Sequence, residues 1–131
     1  MTLEAKKAWF GAGAYAAFIF FISSVSHPIP YVPGMEKYPL DKIFHVIEYG
    51  IFGWLLIRAF RFSFPDRSFV FLAAVAFFLG VLYAASDEWH QSFVPERDSN
   101  PRDLAADALG VSLGIALWSR QKESNSVNAR N

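Results

Sequence analysis

Cysteine is absent from the 131 residues, which removes disulfides, thiolate metal sites and cysteine nucleophiles together. Charge is scarce as well. Asp, Glu, Lys and Arg make up 18% of the chain, against about 25% in an ordinary soluble domain. Neither sign dominates, because 12 basic residues stand against 12 acidic ones; that balance argues against a nucleic-acid partner. What remains is apolar: 53% of the residues are hydrophobic and 14 are Phe, with a mean hydropathy of +0.24. The length suits one domain.

The apolar residues are concentrated in runs. Trp9 to Val25 and Phe69 to Ser86 carry no charge. As a helix, the second run would extend about 27 Å, close to the hydrocarbon thickness of a bilayer, about 30 Å. Ile43 to Phe60 is interrupted by His45, Glu48 and Arg58, and Leu104 to Trp118 by Asp107. A soluble four-helix bundle needs a polar stripe on every helix, and Phe69 to Ser86 has none. The sequence therefore predicts an all-α polytopic membrane protein, a compact bundle of four transmembrane helices near residues 7–26, 41–60, 65–90 and 101–120. These form one domain, 1–120, and a polar cytoplasmic tail, 121–131, is expected to fray from Ser124 onward.

The breaks have local causes. Pro28, Pro30, Pro33-Gly34 and Pro39 cannot continue a helix. Asp41 is placed to cap the second helix. Ser63-Phe64-Pro65-Asp66 resembles a capping box for the third, and Asn100-Pro101-Arg102-Asp103 one for the fourth, with Pro101 at its first position. A cleaved signal peptide is the rival for the first run, since Lys6 and Lys7 precede it and Ser24-Val25-Ser26 resembles a cleavage site. The run is longer than a usual signal core, which favours a retained helix.

Four spans put both termini and the second connection on one side. Lys6, Lys7, Arg58, Arg61, Arg67, Arg120, Lys122 and Arg130 fall there, against Glu4, Asp66 and Glu123. The other side holds most of the acids. Positive charge stays in the cytoplasm, so both termini are expected to be cytoplasmic and the acidic end to face outward. On that outer end the topology gathers Asp41, Lys42, His45, Glu48 and Tyr49 of the second helix. It adds Asp87, Glu88, His90 and Gln91 at the end of the third, then Arg97, Asp103 and Asp107. His45, Glu48 and Tyr49 share one helix face, as do Asp87, His90 and Gln91. Gly110 and Gly114, four apart, permit close helix approach lower on the fourth helix.

These residues resemble the VanZ-like integral membrane family. The resemblance rests on Asp41-Lys42, His45, Glu48-Tyr49 and Gly53, then Asp87-Glu88, His90-Gln91, Pro95 and Arg97, then Asp103 and Gly110 with Gly114. It implies a small multi-pass protein of the bacterial inner membrane with a polar signature on its outer side. The family's name comes from a member associated with resistance to teicoplanin, a glycopeptide antibiotic directed at cell-wall precursors. Two positions depart from the family pattern: Glu96, where a small residue or glycine is common, and Asp107, where Asn is common.

The gathered side chains support three readings. In the first, a cell-envelope protein binds a lipid-linked cell-wall precursor, a lipoglycopeptide or a lipid head group beside the bilayer. The ligand-binding set is then Asp41, Lys42, His45, Glu48, Tyr49, Asp87, Glu88, His90, Gln91, Arg97, Asp103 and Asp107, with guanidinium matching phosphate. Tyr31, Tyr38, Trp89 and Phe93 suit an interfacial aromatic belt. In the second, an intramembrane hydrolase or transferase uses His45, Glu48, Asp87 or Glu88 as catalytic groups, or holds a divalent metal through His45, Glu48, Asp87 and His90. In the third, the network is structural. Glu48, Asp87, Gln91, Arg97 and Asp103 are expected to form one hydrogen-bonded group, with His45 oriented by a carboxylate. Transport is disfavoured, since the polar groups stop at one end.

Overall fold

The computed structural model describes residues 1–26, 40–97 and 99–128, with side chains as far as Gln121. The proline-rich connection with Tyr31 and Tyr38, and Asp98, lie outside these. Four α-helices follow in order: α1 Leu3–Ser23, α2 Leu40–Ser63, α3 Phe69–Gln91 and α4 Pro101–Asn128, with no strand among the described residues.

Local signals set the ends, not always those expected. The Thr2 hydroxyl accepts from the Ala5 amide at 3.2 Å, so α1 starts earlier than residue 7. Ser68, not Ser63, caps α3; its hydroxyl accepts from the Phe71 amide at 3.2 Å. Pro65 and Asp66 therefore belong to the turn before α3, not to the helix expected from residue 65. A serine directly before an uninterrupted apolar run is the better-placed cap. α2 begins at Leu40, which puts Asp41 in its first turn. Asn100 caps α4 as expected, its side-chain oxygen accepting from the Arg102 amide at 2.9 Å. That helix runs on to Asn128, through the stretch expected to fray. Gln121, Lys122 and Glu123 just before that stretch are good helix formers, and extending an established helix costs far less than starting one.

Paired contacts give the directions. Lys42 meets Asp103, His45 meets Asp107, and Gly50 lies against Gly114, so α2 and α4 run parallel. Ala16 meets Tyr83 and Ser23 meets His90, so α1 and α3 are parallel too. Trp9 near the start of α1 donates to the Ser63 hydroxyl at the end of α2 at 2.9 Å, making those two antiparallel. The result is an up-down bundle. The closest approach is between α2 and α4. A Cβ on Gly114 would stand 1.9 Å from the Gly50 carbonyl oxygen, and one on Gly110 2.5 Å from that of Val46. Only glycine lets the two backbones touch there.

α2 and α3 are long and apolar enough to cross a membrane, with peak mean hydropathies of 1.4 and 2.3. The apolar surface is wider than those two helices. Phe10 and Phe21 on α1, Phe44 and Ile47 on α2, Phe78 on α3, and Leu109, Leu113 and Leu117 on α4 are all exposed. Every helix thus turns large apolar side chains outward as well as inward.

Candidate functional site

The polar end of the bundle forms where the starts of α2 and α4 meet the ends of α1 and α3. Its central contact joins His45 Nδ1 to Asp107 Oδ1 at 2.7 Å. The glycine contacts a turn further along produce it, because they hold α2 and α4 close enough for one-turn side chains to meet. One turn nearer the helix starts, Lys42 bridges Asp41 at 2.6 Å and Asp103. On α3, Asp87 accepts from the buried Tyr49 hydroxyl at 3.3 Å and from the Gln91 amide at 3.2 Å. Glu88 accepts from the Asn100 backbone amide at 3.1 Å, tying the end of α3 to the start of α4.

These contacts do not make the single hydrogen-bonded group expected from the sequence. They make separate clusters around Lys42, His45, Asp87 and Glu88, and the reason is helix rotation. Asp87 faces Tyr49 and Gln91, while Glu48 and Arg97 turn towards a cavity that Gln91 also lines. The His45 orientation by a carboxylate is present, with Asp107 as the carboxylate. At this position the acid accepts from the imidazole, so the hydrogen bond needs no amide donor. His90 points elsewhere: its ring stacks on Phe20 at 4.4 Å, and its Nδ1 lies 3.3 Å from the Ser23 hydroxyl. The set His45, Glu48, Asp87 and His90 therefore does not converge. Instead His45, Glu88 and Asp107 bring one donor atom each to within 4.8 Å of one another.

A cavity of about 480 Å³ opens between α1 and α2. Of the expected ligand-binding residues, Asp41, His45, Glu48, Gln91, Arg97 and Asp103 line it. Lys42, Tyr49, Asp87, Glu88, His90 and Asp107 do not, and Tyr49, Asp87, Glu88 and Asp107 are buried behind its wall. Ser23, Glu96 and the largely apolar Tyr15, Phe18, Ile22, Phe44 and Ile47 complete the lining. Phe18, Phe44 and Ile47 are each about half exposed at the bundle surface, so the cavity reaches the side of the molecule as well as its end. Sequence reasoning missed these wall residues. An apolar run such as Trp9 to Val25 has no polar stripe to reveal which face lines a cleft. Ser23 carried a weak signal, as a hydroxyl at the end of that run.

Arg97 is half-buried in the cavity wall, and no ion pair joins it to a carboxylate among the described residues. Its neighbour Glu96 has a φ of 63°. That left-handed conformation favours glycine, so Glu96 stands where a small residue would sit with less strain. Trp89 and Phe93 pack edge to face at 5.4 Å on the exposed side of the same end.

Fold and site together define an all-α protein with membrane-compatible helices whose buried polar groups collect at one end of the bundle. The chain belongs to the VanZ/LLP1 family, which it matches over residues 5–122. No curated protein and no solved structure matches it significantly.

Proposed function

We propose that all four helices span the bacterial inner membrane with both termini in the cytoplasm, and that the cleft at the outer end binds the phosphate-bearing head of a lipid-linked or lipid-like envelope molecule. The outward apolar residues on every helix support four spans, since an exposed apolar surface of that extent is a poor solvent-facing surface. The charge asymmetry supports the orientation.

The observation that carries the ligand reading is the mixed lining of the cavity: it offers Arg97 and His45 as cationic or donor groups, and Phe18, Phe44 and Ile47 as apolar side chains about half exposed at the bundle surface. A lipid with an anionic head fits both: its acyl or prenyl chain lies along the apolar side chains, and its phosphate accepts from the Arg97 guanidinium. Binding such a molecule would link the protein to cell-wall precursors and to sensitivity towards teicoplanin-type lipoglycopeptides, which carry a lipid tail.

The test is binding to the purified protein in detergent, comparing a polyprenyl phosphate with the matching polyprenol. The phosphate should bind at least tenfold more tightly, and Arg97→Gln should erase most of that difference. Equal binding of phosphate and alcohol would overturn the head-group assignment.

A further inference from the structure

The geometry points to a divalent transition-metal site formed by His45, Glu88 and Asp107, behind the cavity wall, where α2, α3 and α4 meet. Their three donor atoms lie within 4.8 Å of one another. Each residue comes from a different helix, so the cluster is a product of the fold and not of one helix face.

Two observations besides the clustering lead to a cation. Glu88 is 6% exposed, and its Oε1 is buried without a hydrogen-bond partner among the described residues. A buried carboxylate oxygen left unsatisfied is costly, and an ion bound there removes that cost. The charge balance is the second. Among the described residues Glu48, Asp87, Glu88, Asp103 and Asp107 stand at this end as buried or half-buried carboxylates. Lys42 and Arg97 are the comparably placed cations, and the imidazole of His45 is neutral when it serves as a ligand. Carboxylates therefore outnumber the positive charges here, and a divalent ion offsets that excess at the most buried part of the cluster.

The donor set selects the kind of ion. One imidazole and two carboxylates suit Zn²⁺ or Mn²⁺, whereas Mg²⁺ prefers oxygen donors and retains its waters. Ligand atoms about 2.0–2.2 Å from a zinc ion stand about 3.3–3.6 Å apart in a tetrahedron. The His45–Asp107 separation of 2.7 Å would open slightly, and the wider gaps, up to 4.8 Å, would close. Side-chain rotation suffices for both, and the Asn100 amide that holds Glu88 Oε2 orients that carboxylate from outside the site.

This site does not depend on the lipid reading, and its test contains no lipid. The full chain, purified in detergent and stripped with a chelator, is titrated with Zn²⁺ and with Mn²⁺ by equilibrium dialysis and metal analysis. About one ion per chain should bind, a large excess of Mg²⁺ should leave it in place, and Glu88→Gln or Asp107→Asn should weaken binding at least tenfold. Glu4→Gln, at the opposite end of the bundle, should bind as the unaltered protein does. The Mn²⁺-loaded protein provides a readout that needs no variant: its magnetic resonance spectrum should show coupling to one imidazole nitrogen. No saturable binding, retention of full affinity in both carboxylate variants, or a bound ion without nitrogen coupling would each overturn the assignment.

Discussion

His45 and Asp107 meet at 2.7 Å because Gly110 and Gly114 place the α4 backbone against Val46 and Gly50 of α2. The polar contact and the glycine contact are consecutive turns of one helix interface. Anything that forces the two backbones apart also pulls the imidazole from its carboxylate.

Gly114→Val should therefore damage both. Its Cβ would lie 1.9 Å from the Gly50 carbonyl oxygen, and overpacking of that kind costs about 1–3 kcal/mol or more. A lowered unfolding midpoint in detergent is expected, together with lower abundance in membranes. Gly13→Ala is the contrast, because nothing lies within 4 Å of a Cβ there. It should be neutral or stabilise α1 by about 0.5–1 kcal/mol.

A double-mutant cycle on His45→Ala and Asp107→Ala should return a coupling of about 0.5–3 kcal/mol in reversible unfolding, the range for residues in direct contact. Each single change strands its partner in a buried setting. Additive effects within about 0.5 kcal/mol would mean that the contact contributes nothing to stability.

Tyr49 and Asp87 give a third comparison. Tyr49 is fully buried and its hydroxyl donates to Asp87, whose other oxygen has no partner among the described residues. Tyr49→Phe removes one of the donors that hold a buried carboxylate and should destabilise by about 1–2 kcal/mol. Asp87→Asn keeps an acceptor for Tyr49 and Gln91 while removing the charge, so stability should hold or rise. Thermal unfolding of the two proteins side by side measures the difference.

Topology reporters test the orientation. A fusion after Arg120 should report cytoplasm, and one within residues 28–39 should report the outside. The reverse pattern would move the cleft to the inner face and remove the envelope ligands from its reach.

Four helices and the gathering of polar residues at one end were legible because both depend on coarse features: apolar runs, helix breakers and alternating direction. The pairing inside that end was not. Spacing places Asp87 and His90 on one face of α3, but it does not say that the face is rotated so that Asp87 meets Tyr49 while His90 meets α1. That rotation is set by tertiary packing, notably Gly80, where a Cβ would come within 2.9 Å of Val111. Likewise Asp107 and Glu88 appeared as separate candidates, and only the parallel register of α2 and α4, with the end of α3 packed beside them, joins both to His45. The start of α3 was misjudged because two serines, Ser63 and Ser68, both precede apolar sequence, and only the second has a free run behind it.

The most direct test of the proposal that the cleft binds lipid is photolabelling in native membranes with a photoreactive polyprenyl phosphate, followed by mapping of the labelled residues. The account predicts labelling concentrated on Phe18, Phe44 and Ile47, the walls of the cavity between α1 and α2, and its loss when unlabelled polyprenyl phosphate is added in excess. Labelling spread evenly over Leu109, Leu113 and Leu117 on the outer face of α4, and unchanged by the competitor, would contradict it.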